Sequence, residues 1–276
     1  MRPSPRAQLM ALEAPPKTVV PVSAPASAAY EARPKYRAAR HFLKVREVTW
    51  MTPSTYLIYF TMDDNGQNQP VFEFEPGQFL SIFVEKDGKK INRPYSIASS
   101  PTEREALELC IKVVEGGFMS NFLKERRPGD RYAIMAPLGG FILREPIKTD
   151  IAFISTGTGV APFVGMTKWL IHHNLMDGHD VYMFTGVRYV HELLYHDLFL
   201  RWEQKFPNFH YVPNISRPET PEWTGRKGYV QAAVQEEIKD PAGTTAYICG
   251  LHEMVEQTKD LCQKMGFALV RAEKWD

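Results

Sequence analysis

Two hydrophobic rhythms divide the chain. From about residue 41 to 142, short runs of β-branched and aromatic residues recur at 42–45, 55–60, 79–84, 107–113 and 132–135. Turn residues punctuate them: Asp64-Asn65-Gly66, Glu75-Pro76-Gly77, Asp87-Gly88 and Arg127-Pro128-Gly129-Asp130. Many short strands at regular spacing predict a small antiparallel barrel. Only residues 120–126 read as helix there, with Ser120 as N-cap. From Asp150 the pattern changes to alternating strand and helix. Strands are expected at 151–155, 181–185, 209–213, 245–249 and 268–273, and helices at 162–173, 195–205, 228–239 and 252–265. That alternation predicts a parallel sheet with helices on both faces, a Rossmann-like arrangement that binds ligands at the carboxyl ends of its strands.

Two stretches carry chemistry. The apolar strand at 151–155 ends in Gly157-Thr158-Gly159, and Pro162 follows where the first turn of a helix tolerates it. Strand, glycine turn and helix N-terminus together make a socket for phosphate. On a barrel strand, Arg93-Pro94-Tyr95-Ser96 alternates a fork-shaped cation, an aromatic and a hydroxyl. Residues two apart share a face, so Arg93 and Tyr95 point one way and Ser96 the other. The guanidinium suits a phosphate and the ring suits a flat partner.

These runs, with others in fixed order, resemble the ferredoxin–NADP reductase family, especially its plant-type branch. The supporting motifs are Arg93-Pro94-Tyr95-Ser96-Ile97-Ala98-Ser99-Ser100, Cys110-Ile111-Lys112, Ser120-Asn121-Phe122-Leu123, Gly157 to Phe163, Ser216-Arg217, Lys227-Gly228-Tyr229, Cys249-Gly250-Leu251 and Glu273-Lys274-Trp275. The resemblance implies an FAD-binding β-barrel domain over 37–146 and an NADP-binding α/β domain over 147–276. It implies that Arg93 holds the flavin pyrophosphate, Tyr95 stacks on the flavin ring and Ser96 bonds near its reactive nitrogen, with Pro94 in the same set. Cys110, Ile111 and Lys112 are expected to line the flavin, and Phe118, Met119 and Ser120 to close on its phosphates. Thr158 is expected between flavin and nicotinamide, Cys249 beside the hydride carbon, and Glu273 in the same pocket serving hydride and proton traffic. Trp275 takes the place of the family's ring-covering aromatic, with Asp276 after it where the plant-type branch ends on the aromatic itself. The short segment 101–105 offers no aromatic for the flavin adenine.

For the nucleotide, the expected contacts are Gly157, Thr158, Gly159, Val187, Arg188, Ser216, Arg217, Arg226, Lys227, Tyr229, Gly250, Leu251 and Glu273. Ser216 and Arg217 follow the third strand of the second domain, where the adenosine end of a dinucleotide lies. A hydroxyl with cations suits the extra phosphate of NADP, whereas a carboxylate would suit NAD. The expected activity is ferredoxin- or flavodoxin–NADP(+) reduction. The alternatives are the reductase component of an oxygenase complex and a flavin-binding regulatory subunit without turnover.

Composition narrows the partners. With 276 residues, 44% apolar, the chain has material for two cores. Thirty-three basic residues against 32 acidic ones give no argument for nucleic acid. No apolar run reaches the ~18 residues of a membrane span. Cys110, Cys249 and Cys262 are too scattered for a disulfide framework or zinc, and too few for a plant-type iron–sulfur cluster. No metal site is expected: in His191-Glu192-Leu193-Leu194-Tyr195-His196 the histidines are five apart and would diverge on a helix. Residues 1–36, rich in alanine and proline, read as a disordered extension or a targeting segment. The expected location is cytoplasmic, or organellar if that segment is a transit peptide. Lys86, Lys89, Lys90 and Arg104 form a loose basic set that could steer an acidic electron carrier.

Overall fold

The computed structural model describes residues 36–275 apart from 64–66, 68 and 220–222. The expectations for residues 1–35, for the Asp64-Asn65-Gly66 turn, for Asp276 and for the Trp275 side chain lie outside the described residues.

The barrel comprises β1 (Ala39–Thr52), β2 (Thr55–Met62), β3 (Phe79–Lys86), β4 (Lys89–Ser96), β5 (Leu107–Lys112) and β6 (Arg131–Leu138). Their order is β4-β3-β6-β1-β2-β5, every pairing antiparallel. The sheet curls until its edge strands meet at the bridge Ile97↔Leu109, where the Ala98 amide also donates to the Glu108 carbonyl at 2.8 Å. On β5, Leu107, Leu109 and Ile111 enter the barrel core, leaving Glu108, Cys110 and Lys112 on the opposite face. Helix α1 (Phe118–Lys124) adds Met119 and Leu123 to that core.

Here one expectation is corrected. Gly117, not Ser120, precedes the first turn of α1. Ser120 lies inside the helix, and its Oγ accepts from the Val114 amide at 3.0 Å, closing the loop that leads into it.

The second sheet is parallel throughout, in the order β10-β9-β8-β7-β11-β12. Its strands are β7 (Asp150–Thr156), β8 (Val181–Val187), β9 (Phe209–Ile215), β10 (Arg226–Lys227), β11 (Thr244–Leu251) and β12 (Leu269–Trp275). The helices are α2 (Ala161–His172), α3 (His196–Lys205), α4 (Val230–Glu237) and α5 (His252–Met265). Period-two alternation on β7 sorts Ile151 and Phe153 to one core, with Phe163, Met183 and Tyr247, and Ala152 and Ile154 to another, with Phe184, Val230 and Val255. Helix α4 is shorter than expected because Gly228 adopts a positive φ of 107° before it and Ile238 is extended after it.

The first of these cores does not stop at the second sheet. Leu57, Ala98 and Cys110 of the barrel belong to it. Strand order reverses between β7 and β11, so the crevice at their carboxyl ends is the switch point where open α/β sheets bind ligands.

Candidate active site

At the switch point the chain closes on itself by omitting side chains. After β7, Gly157 to Val160 form a 3-10 turn and α2 begins, with Pro162 in its first turn and no side chain capping its amides. A Cβ on Gly159 would lie 2.2 Å from the Cys249 carbonyl oxygen. Gly250, at φ 154°, lets Thr156 Oγ1 approach to 2.4 Å from the position of its absent Cβ, and the Leu251 amide donates to that hydroxyl at 3.4 Å. The ends of β7 and β11 can therefore come close to a dinucleotide, beside the glycine turn that leads into α2.

The barrel meets this crevice through a short chain of neighbours. Cys249 is fully buried and lies in register with Ser155 on β7 and Glu273 on β12. Glu273 Oε1 stands 3.9 Å from where a Gly139 Cβ would sit, and that Cβ would also strike the Phe79 ring at 2.7 Å. Phe79 pairs with Ser96 across β3 and β4. Two buried polar atoms at opposite ends of this chain, Ser96 Oγ and Glu273 Oε2, have no hydrogen-bond partner. Buried polar atoms are normally paired, so an orphan on each side marks a place for a ligand's polar groups. Burial without a cation pushes the Glu273 carboxyl up to about 7. Close glycine approaches and these two orphans fit a flavin and a nicotinamide nucleotide meeting here.

The remaining flavin-set residues divide by face. Arg93 is exposed, donating to the Asn92 carbonyl at 2.8 Å, while Tyr95 is half-buried against the barrel core. Burial raises the Tyr95 phenol's pKa, with Arg93 pulling the other way. Pro94 is exposed between them. Ile111 and Met119 put their side chains into the barrel core. Phe118 packs on Phe122, with the Lys86 ammonium 4.7 Å from its ring. The Cys110 thiol is buried toward Tyr195 of the second domain, and Lys112 Nζ donates to Glu192 Oε1 at 3.1 Å.

At the outer end of the crevice, the Ser216 amide donates to the Val187 carbonyl at 3.0 Å and the Arg217 amide to the Arg188 carbonyl at 2.8 Å. Lys227 pairs with Ile215 one residue before them, and Tyr229, 75% exposed, precedes α4. Ser216, Arg217, Lys227 and Tyr229 thus gather at one sheet edge. Arg226 is differently placed: its guanidinium forms ion pairs with Glu236 and Glu237 of α4.

The sequence reading missed Phe79 and Gly139, which join the two halves of the site, and Glu108, Glu192 and Tyr195 at the domain seam. Strict alternation along β5 was the available signal for Glu108, a carboxylate on the same face as Cys110. Among the described residues no group of histidine, cysteine, aspartate and glutamate could hold a metal ion, and no helix is long and apolar enough to cross a membrane.

Comparison with known proteins agrees with this geometry. Residues 43–142 match the model of the oxidoreductase FAD-binding domain and residues 153–260 that of the oxidoreductase NAD-binding domain. The chain is 30% identical to the ferredoxin–NADP reductase B of Sorangium cellulosum over 198 residues, 70% of this chain and 80% of that protein. It is 33% identical to the phenol hydroxylase P5 protein of Acinetobacter pittii over 188 residues, 67% of this chain but only 52% of that protein, so it spans about half of that relative's length. Among solved structures, the Amycolatopsis cytochrome P450 reductase GcoB superposes with a TM-score of 0.77 at 26% identity, covering 90% of this chain and 73% of that one. The chain is an FAD- and nicotinamide-nucleotide-binding oxidoreductase, and it belongs to the ferredoxin–NADP reductase family.

Proposed function

We propose that this protein transfers hydride between NADP(H) and FAD and exchanges single electrons with a small carrier protein, ferredoxin or flavodoxin. Bound FAD supplies the acceptance of a hydride and the release of its two electrons one at a time. The protein supplies placement. Arg93 holds phosphate, Tyr95 presents its ring, and Ser96 Oγ offers its unspent hydrogen bond at the reacting edge. Thr158 stands at the glycine turn between the two ligands. Cys249 fixes how close the nicotinamide comes, since neither it nor Gly250 projects bulk into the crevice. Such alignment accounts for ~7–11 kcal/mol of barrier in well-oriented reactions. Glu273, with a carboxyl near neutrality, holds a proton at the crevice wall. The single observation that carries the reading is the link from Cys249 and Glu273 through Gly139 and Phe79 to Ser96.

NADPH is favoured over NADH by Ser216, Arg217 and Lys227. Each charged hydrogen bond contributes about 1.5–3 kcal/mol, so two discriminate very roughly 10²- to 10⁴-fold. A second reading, the reductase component of an oxygenase, draws support from the likeness to the phenol hydroxylase P5 protein. The test is to identify the flavin released on denaturation and compare kcat/KM for NADPH and NADH, with ferredoxin, flavodoxin and an oxygenase component as acceptors. NADPH preference with ferredoxin or flavodoxin turnover is the expected result. NADH preference with turnover only through the oxygenase component would favour the second reading.

A further inference from the structure

The outward face of β5 carries Glu108, Cys110 and Lys112, and all three end on one segment of the second domain. The Tyr195 hydroxyl donates to Glu108 Oε1 at 2.7 Å, with both residues 8% exposed. Lys168 Nζ of α2 stands 3.6 Å from the other Glu108 oxygen and bonds Glu103 at 3.0 Å. The Cys110 thiol lies beside the same tyrosine. Lys112 pairs with Glu192 Oε1 at 3.1 Å. The remaining Glu192 oxygen accepts from the Arg188 and Tyr189 amides at 3.1 and 3.3 Å. The segment 188–195 begins where β8 ends, beside the proposed nucleotide contacts Val187 and Arg188. It is therefore pinned to the barrel through Glu192 and Tyr195, and Tyr195 sits there at a left-handed φ of 54° with its amide donating to Met51 Sδ at 3.3 Å.

Glu108 also acts on the barrel side. Its amide donates to Ser99 Oγ at 3.1 Å and its carbonyl accepts from Ala98, closing β5 onto the segment that directly follows Arg93 to Ser96. One residue thus anchors the flavin platform and grips the nucleotide domain. We propose that Glu108–Tyr195 and Lys112–Glu192 hold the nucleotide-binding loop in register with the flavin platform, which makes Tyr195 and Glu192 positioning residues for the transfer between them. The inference rests on the reading of the protein as an NADPH-fed flavoenzyme. The Glu108–Tyr195 hydrogen bond joins two buried side chains and is short and directional, so it fixes position; the more exposed Lys112–Glu192 pair contributes by orienting Glu192, which accepts from the loop amides. Small misplacements of this kind, remote from the reacting atoms, slow chemistry by up to about a hundredfold.

The experiment uses the flavin-loaded protein carrying Tyr195→Phe or Glu192→Gln. Glutamine keeps an acceptor for the two loop amides while removing the charge that Lys112 meets, so it serves if Tyr195→Phe retains no flavin. Anaerobic rapid mixing gives the limiting rate of flavin reduction at saturating NADPH. The same rate with NADPH deuterated at the transferred position gives an isotope effect. The limiting rate should fall about ten- to a hundredfold with a larger isotope effect and unchanged flavin content. Tyr195→Phe and Glu108→Gln together should cost less than the product of the two single losses. Unchanged limiting rate and isotope effect, with only a lower melting temperature, would overturn this inference alone. A wild-type protein that NADPH does not reduce overturns the functional reading and this inference together.

Discussion

Replacing Glu273 by glutamine tests how the crevice treats a buried carboxyl. Oε2 is buried without a partner, and burial alone raises this group from 4.5 to about 7. At about 1.4 kcal/mol per pKa unit, holding Glu273 ionised in the folded protein costs roughly 3 kcal/mol relative to the unfolded chain. The sign follows from proton counting. Between 4.5 and about 7 the folded state binds the proton more tightly than the unfolded state, so folding stability falls as pH rises through that window. Below it the native carboxylic acid is neutral in both states and the penalty vanishes. Glutamine keeps the shape and cannot ionise. Urea unfolding of the flavin-loaded wild type and Glu273→Gln, from about pH 4.5 to 8, isolates this one group, because other titrations cancel in the difference. The wild type should lose roughly 2–3 kcal/mol against the variant across the range. A flat difference, or one that grows in favour of the wild type with rising pH, would refute the burial of this carboxyl without a partner.

Other perturbations read other parts of the site. Gly159→Ala places a Cβ 2.2 Å from the Cys249 carbonyl oxygen, a backbone atom that cannot swing aside. It should cost about 1–3 kcal/mol of stability by overpacking and slow flavin reduction by about a hundredfold, read by urea unfolding and rapid mixing. Gly165→Ala puts a Cβ 2.7 Å from the Ser99 carbonyl oxygen, where α2 lies on the segment after β4. It should lower the melting temperature and flavin retention together, read by thermal unfolding monitored through flavin release. Arg217→Glu should raise KM for NADPH by at least about tenfold, one charged hydrogen bond's worth, while leaving KM for NADH within about twofold. Steady-state assays with both nucleotides check it.

Much of this was legible in the chain itself. The β5 run announced a strand with a buried and an outward face, and β7 with its glycine turn announced a phosphate socket. Helix α5 falls on the expected residues 252–265. Less visible were features set by tertiary partners. The two-residue strand β10 is too short to show a period and exists because Arg226 and Lys227 lie against β9. Ser120 has the chemistry of a cap, yet the helix starts at Phe118 because Gly117 turns the chain there and the Ser120 hydroxyl is spent on Val114. Arg226 offers a cation for a phosphate, and here it pairs with Glu236 and Glu237, the last residues of α4. Phe79 meets Ser96 and Leu138 through strand pairing and Gly139 nears Glu273 through tertiary approach, and no local pattern encodes either.

The most direct test of the central claim is anaerobic mixing of the flavin-loaded protein with one equivalent of NADPH, following the flavin's visible absorbance. If barrel and sheet place their ligands in one crevice, the yellow colour bleaches, and deuterium at the transferred position slows the bleaching. A flavin that stays oxidised although NADPH binds would contradict that account.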